Sequence, residues 1–194
     1  MMKYIMLAII SYLIGSVLFA YVFGKLIYHK DVRDYGSHNP GSTNAFRAFG
    51  KKIGTLAFAF DFLKGAFATY LGYSLLGEKG MFLAALMVVI GHDYPIFMRF
   101  NGGKGIAASA GSLLVIDYRL LLVAVSVFLI VFLATRIVSI SSMLAAVSGA
   151  IAGLFFVPLC YGKWVLVFLA LMALWRHRSN IERLLRGEEK KFSL

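Results

Sequence analysis

Apolar runs long enough to cross a lipid bilayer follow one another along this chain, separated mostly by short charged turns. The first is Tyr4–Gly24, the second Ile53–Leu76 and the third Met81–Met98. A shorter run, Ile106–Ile116, follows, then Leu120–Thr135, Ile137–Val157 and Trp164–Trp175. A helical span needs about 20 mostly apolar residues, so this spacing leaves an all-α, polytopic membrane protein as the fold class. Sixty per cent of the residues are hydrophobic and the mean hydropathy is +0.81, well above the range of soluble domains. Tyr4–Gly24 is too long for the core of a signal peptide and reads as a retained span. No internal repeat, linker or second domain interrupts the pattern, and residues 1–194 read as a single integral membrane domain.

The number of crossings follows from charge. With seven spans, one side holds the polar loop Lys25–Lys52, Arg99, Lys104, Arg136 and the tail Arg176–Leu194, which together carry 15 of the 20 Lys and Arg residues. The other side holds four: Lys3, Lys79, Arg119 and Lys163. If Ile106–Ile116 turned back instead of crossing, the division would be ten against nine, which orients nothing. The positive-inside rule therefore selects seven transmembrane helices, some short or partly inserted, with the N-terminus outside and the C-terminus cytoplasmic. A net charge of +11 crowded into short loops suits an anionic lipid surface or an anionic substrate, and nucleic acid is the poorest fit. Cys160 is the lone cysteine, so an internal disulfide and a cysteine-based metal cluster are both excluded. The scarcity of carboxylates argues against any built-in metal site.

Four polar stretches stand out on the cytoplasmic side. Gly91–Ala107 closes one apolar run, turns through Asn101-Gly102-Gly103-Lys104-Gly105 and opens the next. A glycine turn lets backbone N–H groups converge beside the Lys104 ammonium. A helix starting at Gly105 or Ile106 would add its positive end, making an anion site. The bland alternative is a tight turn with a snorkelling lysine. The stretch is not a Walker A loop, because Met98 stands where the first glycine belongs and Gly105 where the Ser/Thr belongs. Pro95 should kink or end the preceding helix, and His92 near its end suits a structural role.

The second stretch, Gly36–Arg47, gathers Ser37, Asn39, Ser42, Thr43, Asn44 and Arg47. Connecting loops share this composition, but so do sites for phosphate or glycerol oxygens. The third is Arg136 with Ser139, Ser141 and Ser142, where serines at a helix start read as caps. In the fourth, the basic tail, His177 and Asn180 lie three residues apart and face one side together, while Glu188 and Glu189 can pair with nearby arginines. Within the second span, Asp61 and Lys64 are also three apart and read as an interior ion pair; a coupling site of a transporter is the alternative. His29 and Asp34 fit a His-x4-Asp spacing, with none of the surrounding signature that spacing needs.

Together these segments resemble the bacterial membrane glycerol-3-phosphate acyltransferases that use acyl phosphate as donor. Three motifs carry the resemblance: Gly36-Ser37-His38-Asn39-Pro40-Gly41-Ser42-Thr43-Asn44 with Arg47; Gly91-His92 through Pro95, Phe97 and Phe100 to Gly102-Gly103-Lys104-Gly105; and His177, Asn180-Ile181, Arg183-Leu184, Gly187 and Glu189. The resemblance implies transfer of a fatty acyl group to the 1-hydroxyl of glycerol 3-phosphate, giving lysophosphatidic acid and phosphate in the first step of phospholipid synthesis. It implies no cofactor, an inner-membrane location, an active site facing the cytoplasm, contact with membrane lipid and supply by a soluble enzyme that forms acyl phosphate. Ser37, Arg47, Lys104 and His177 are the expected catalytic residues. Asn39, Thr43, Asn44, Gly102, Gly103, Gly105, Arg136, Ser142 and Asn180 are expected to bind substrate, and no residue to bind metal. An acyl phosphate is an activated mixed anhydride, so direct transfer without an acyl-enzyme is expected. A transporter of a phosphate-bearing solute is the rival reading.

Overall fold

The computed structural model describes residues 1–192, so the last two residues of the tail lie outside the described residues. Among the described residues the structure is all helical: α1 (Met2–Ser16), α2 (Phe19–Tyr28), α3 (Ser42–Asp93), α4 (Ile106–Ile116), α5 (Tyr118–Thr135), α6 (Val138–Phe156), α7 (Cys160–Arg176) and α8 (Arg178–Leu185). Short 3-10 turns occupy Val32–Asp34 and Ile96–Met98. Two compact units divide the chain, one ending at Val115 and the other beginning at Ile116. Among the described residues, three helices are long and apolar enough to cross a membrane, or four if α1 and α2, bent by 43°, form one span.

In the first unit, the expected span Tyr4–Gly24 is broken at Val17 and Leu18, both extended. Its second half runs on as α2 to Tyr28, so the loop Lys25–Lys52 is partly helical rather than open. Apolar packing explains this: Ala20 of α2 and Val32 of the loop are buried against Ala45, Ile53 and Ala57 of α3. Burial of that seam offsets the polar composition that suggested a loop.

α3 would measure about 78 Å if straight, more than twice the hydrocarbon thickness. It is interrupted near its start at Gly50, with φ 80°, and breaks again at Leu76 and Gly77, where Gly77 takes φ 64°, within the turn expected at Gly77–Gly80. Its two halves then fold back on each other, with the backbones of Gly72 and Gly80 so close that a Cβ on either would strike the other's carbonyl. α1 lies on the second half through Gly15 against Val88 and Gly91 against Tyr12. α4 sits against the first half, with Gly65 against Ala108 and Gly111 against Phe62. Ser112 receives a hydrogen bond from Thr69 there at 2.9 Å. Small residues bring backbones together in this way where lipid supplies no hydrophobic drive between helices.

The second unit packs α5 on α6 and α6 on α7. Gly153 of α6 makes room for Leu166 of α7. α5 turns Leu122, Leu129, Ile130 and Leu133 outward, fully apolar and exposed, as a lipid-facing helix must. Asp117 caps α5 by accepting from the Arg119 N–H at 2.9 Å.

Candidate active site

In the first unit, the first two polar motifs meet. The chain between the Val32–Asp34 turn and α3 is held by Asn44, whose side chain is buried. Its oxygen accepts from the Ser37 N–H at 2.8 Å, and its amide donates to Val32 O at 2.8 Å and Tyr35 O at 2.9 Å. Asn44 was expected to face substrate. Its whole amide instead shapes the loop, which makes it a positioning residue. Gly36 and His38 both take left-handed backbone, with φ 60° and 56°. A Cβ on Gly36 would strike the Asn44 oxygen, so only glycine fits there. The loop so held leaves Ser37 exposed, with Arg47 exposed and Thr43 half-buried on the first turns of α3.

Asn39 joins the two motifs. Its Oδ1 accepts from the Gly41 N–H at 3.0 Å, while its Nδ2 donates to the carbonyl of Gly102 at 3.2 Å. At the glycine turn, α3 ends at Asp93 ahead of Pro95, as expected. The Gly102 N–H donates to Asp93 O at 3.2 Å and the Gly103 N–H to His92 O at 3.0 Å. These two amides were expected to point at an anion. They lock the turn to the end of α3 instead, because buried backbone donors in so tight a turn need partners. Gly105, at φ 69°, hands the chain to α4. The Ser109 N–H returns to Gly105 O at 2.7 Å, so the amides of residues 106–108 have no acceptor within the helix. The anion-seeking end of α4 therefore lies just past the half-buried Lys104.

In the second unit, Glu189 organises the third motif. Its Oε1 accepts from Ser139 Oγ at 2.8 Å and Asn180 Nδ2 at 2.6 Å, and its Oε2 pairs with Arg183 Nε at 2.7 Å. Ser139 and Ser141 do not cap α6: Ser141 Oγ donates to Ile137 O at 2.7 Å, and Ile137 stands at the cap position. Ser142 is buried, and Arg136 is exposed at φ 60° in the turn between α5 and α6. The tail returns to that turn, where the Phe192 N–H donates to Arg136 O at 2.7 Å. His177 and Asn180 are both buried. His177 Nδ1 lies 2.8 Å from Ala173 O, which can only accept. A proton therefore sits on Nδ1, which leaves Nε2 as the ring's other polar atom. Sequence reasoning paired Glu189 with an arginine but missed its bond to Ser139, 50 residues away.

Burial pushes the Glu189 carboxyl up, but hydrogen bonds from Asn180, Ser139 and Arg183 and the Arg183 charge outweigh it and hold the group below its ordinary value. A carboxyl lowered in the folded state stabilises that state above its ordinary pKa and ceases to as pH falls through the lowered value. Glu189→Ala is thus expected to free the tail at neutral pH, with trypsin cleavage after Lys190 and Lys191 rising several-fold. Wild-type protein should show the same rise, followed by hydrogen exchange, only in acid below the usual glutamate range.

A family model for glycerol-3-phosphate acyltransferase matches residues 5–187 of this chain. The glycerol-3-phosphate acyltransferase of Finegoldia magna is 42% identical over 188 residues, covering 96% of this chain and 95% of the relative. That of Listeria monocytogenes serotype 4a is 40% identical over 194 residues, covering 96% of each. Among solved structures, the glycerol 3-phosphate form of PlsY (YgiH), an integral membrane glycerol 3-phosphate acyltransferase, superposes with TM-score 0.94 at 35% identity, over 98% of this chain and 96% of that one. Its lysophosphatidic acid form gives 0.91 at 34% identity over the same shares of the two chains. With identity of this order running through almost the whole length, the chain is a membrane protein of the glycerol-3-phosphate acyltransferase family.

Proposed function

We propose that this protein moves the acyl group of a fatty acyl phosphate onto the 1-hydroxyl of glycerol 3-phosphate, releasing lysophosphatidic acid and inorganic phosphate. The observation that carries the reading is the likeness to relatives solved with glycerol 3-phosphate and lysophosphatidic acid. The join between the Ser37 loop and the Lys104 turn through Asn39 supports it, because cations and hydroxyls suited to phosphate then share one end of the first unit. Transfer is direct. The donor is already activated, so the protein's task is to position two anions and neutralise their repulsion. Lys104, with Gly105 and the start of α4, and Arg47 hold phosphate; Ser37 and Thr43 orient phosphoryl oxygens or the developing oxyanion. Asn39, Asn44, Gly102 and Gly103 hold these groups in place. His177 and Asn180 bind glycerol 3-phosphate, with Arg136 and Ser142 contributing to the same substrate. A phosphate oxygen of the donor takes the hydroxyl proton, and the acyl chain lies among apolar helices, where lipid already surrounds the protein.

The whole chain acts as one acyltransferase domain in the bacterial inner membrane, with seven crossings and its reacting groups toward the cytoplasm, where a soluble enzyme supplies acyl phosphate. The assay is purified protein with acyl phosphate and glycerol 3-phosphate. Equal amounts of phosphate and lysophosphatidic acid support the reading; no lysophosphatidic acid, with counterflow of a phosphorylated solute in liposomes, overturns it in favour of transport. His177→Gln is expected to raise KM for glycerol 3-phosphate about tenfold, the loss of roughly one hydrogen bond. A collapse of turnover at saturating substrate would make His177 the base instead. Seven crossings place the exposed Cys160 outside. A membrane-impermeant maleimide should therefore label it in intact spheroplasts, and labelling only after permeabilisation would reverse the topology.

A further inference from the structure

Lys64 lies inside the first unit, far along α3 from the polar motifs in sequence, yet its ammonium is wholly engaged. It donates to Gly15 O at 2.9 Å and Val17 O at 2.5 Å, carbonyls left without helical partners by the break between α1 and α2. It also meets His92 Nδ1 at 2.9 Å, while Asp61 Oδ1 lies 2.7 Å away as its charge partner. All of these side chains are buried. An ammonium has three protons and accepts nothing. Two of its protons go to the carbonyls, and the third lies between His92 Nδ1 and the Asp61 carboxylate, which is itself 3.5 Å from that ring nitrogen. With Nδ1 accepting from Lys64, the ring proton sits on Nε2. That edge of the ring faces the glycine turn: a Cβ on Gly103 would collide with Nε2. The His92 carbonyl receives the Gly103 N–H, and Gly105 lies beside the Asp93 carboxylate. One side chain thus connects the helix break, the first half of α3 and, through His92, the seat of the turn that carries Lys104.

We propose that Lys64 is a positioning residue for the phosphate-holding turn, acting by fixing the tautomer and orientation of His92. The proposal rests on the reading of Lys104 as a phosphate ligand. A shift of about 1 Å in such a turn is worth up to roughly a hundredfold in rate. The test is Asp61→Leu/Lys64→Met, which removes both charges together and leaves neither buried alone. Histidine labelled with ¹⁵N, the His92 signal assigned by its loss in His92→Gln, reports the tautomer in detergent micelles. The wild type should show the Nε2–H form alone. The folded double variant should show mixed tautomers and kcat/KM for glycerol 3-phosphate lowered roughly tenfold to a hundredfold. An unchanged tautomer, or wild-type kinetics with the tautomer released, overturns the proposal. If the double variant does not fold, His92→Gln decides: it keeps the ion pair, and wild-type kcat/KM there overturns the relay, whereas the same fall supports it. Should wild-type protein transfer no acyl group at all, the functional reading fails, and the wild-type ¹⁵N spectrum still judges the link from Lys64 to His92.

Discussion

Lys104→Ala is expected to lower kcat/KM about a thousandfold with the protein still folded, an effect of the size seen when one preorganised donor is lost from a transition state. The reason is charge. In the proposed reaction donor and acceptor each bring a phosphate, and bringing two anions together inside a site of low dielectric is unfavourable unless cations meet them. Lys104 is half-buried in the turn between Gly103 and Gly105, and α4 begins two residues later. Side chain and helix end therefore favour negative charge at one place. The turn itself is held by Asp93 O, His92 O and Asn39, so removing the ammonium should leave its shape intact. Lys104→Arg keeps the charge on a larger, planar group and should recover part of the rate. Steady-state kinetics for each substrate, with the melting temperature measured alongside, check this. Wild-type constants in Lys104→Ala would remove Lys104 from the site.

The second large effect is on stability. Asp61→Asn takes from the buried Lys64 ammonium its nearest carboxylate, 2.7 Å away. Breaking one partner of a buried pair costs about 3–5 kcal/mol. For a protein of this size that is a fall in Tm on the order of 10 °C. The pair is almost inaccessible, with 4% and 1% of the two side chains exposed, so solvent offers little relief. Asp61→Leu/Lys64→Met removes both charges and should recover part of the loss, since a buried pair is worth little against apolar residues of similar size, while the Gly15 and Val17 carbonyls lose the donor that Lys64 supplied. Thermal unfolding in detergent reads both. An unchanged Tm in Asp61→Asn would show that Lys64 finds its charge balance elsewhere.

Hydropathy made the helices of this chain legible because lipid enforces it. The run read as Ile106–Ile116 is α4 residue for residue, and Asp61 with Lys64 forms the ion pair that their spacing suggested. The ends of spans were readable where a breaker stands, as at Pro95 and Gly77. The break at Val17 carried no such signal: its carbonyl is received by Lys64, 47 residues on. Likewise the polar stretch after Gly24 looked like loop because Ala20, Val32 and Ala45 gain their burial only in three dimensions. Residue types at the site were legible, but their division of labour was not. Nothing in Asn44 or Gly103 says that its polar groups are bound internally, and Ser139 looked like a cap because Glu189 lies far along the chain. Side chains that bind substrate and side chains that hold the binders share one chemistry, and only geometry separates them.

Phosphate release followed on the millisecond scale, with acyl phosphate mixed against the protein before glycerol 3-phosphate is added, tests most directly the claim that positioning alone drives transfer. Direct transfer predicts no burst with the donor by itself, then one phosphate and one lysophosphatidic acid for each glycerol 3-phosphate consumed. A stoichiometric burst of phosphate before the acceptor arrives, with the acyl group left on the protein, would contradict it.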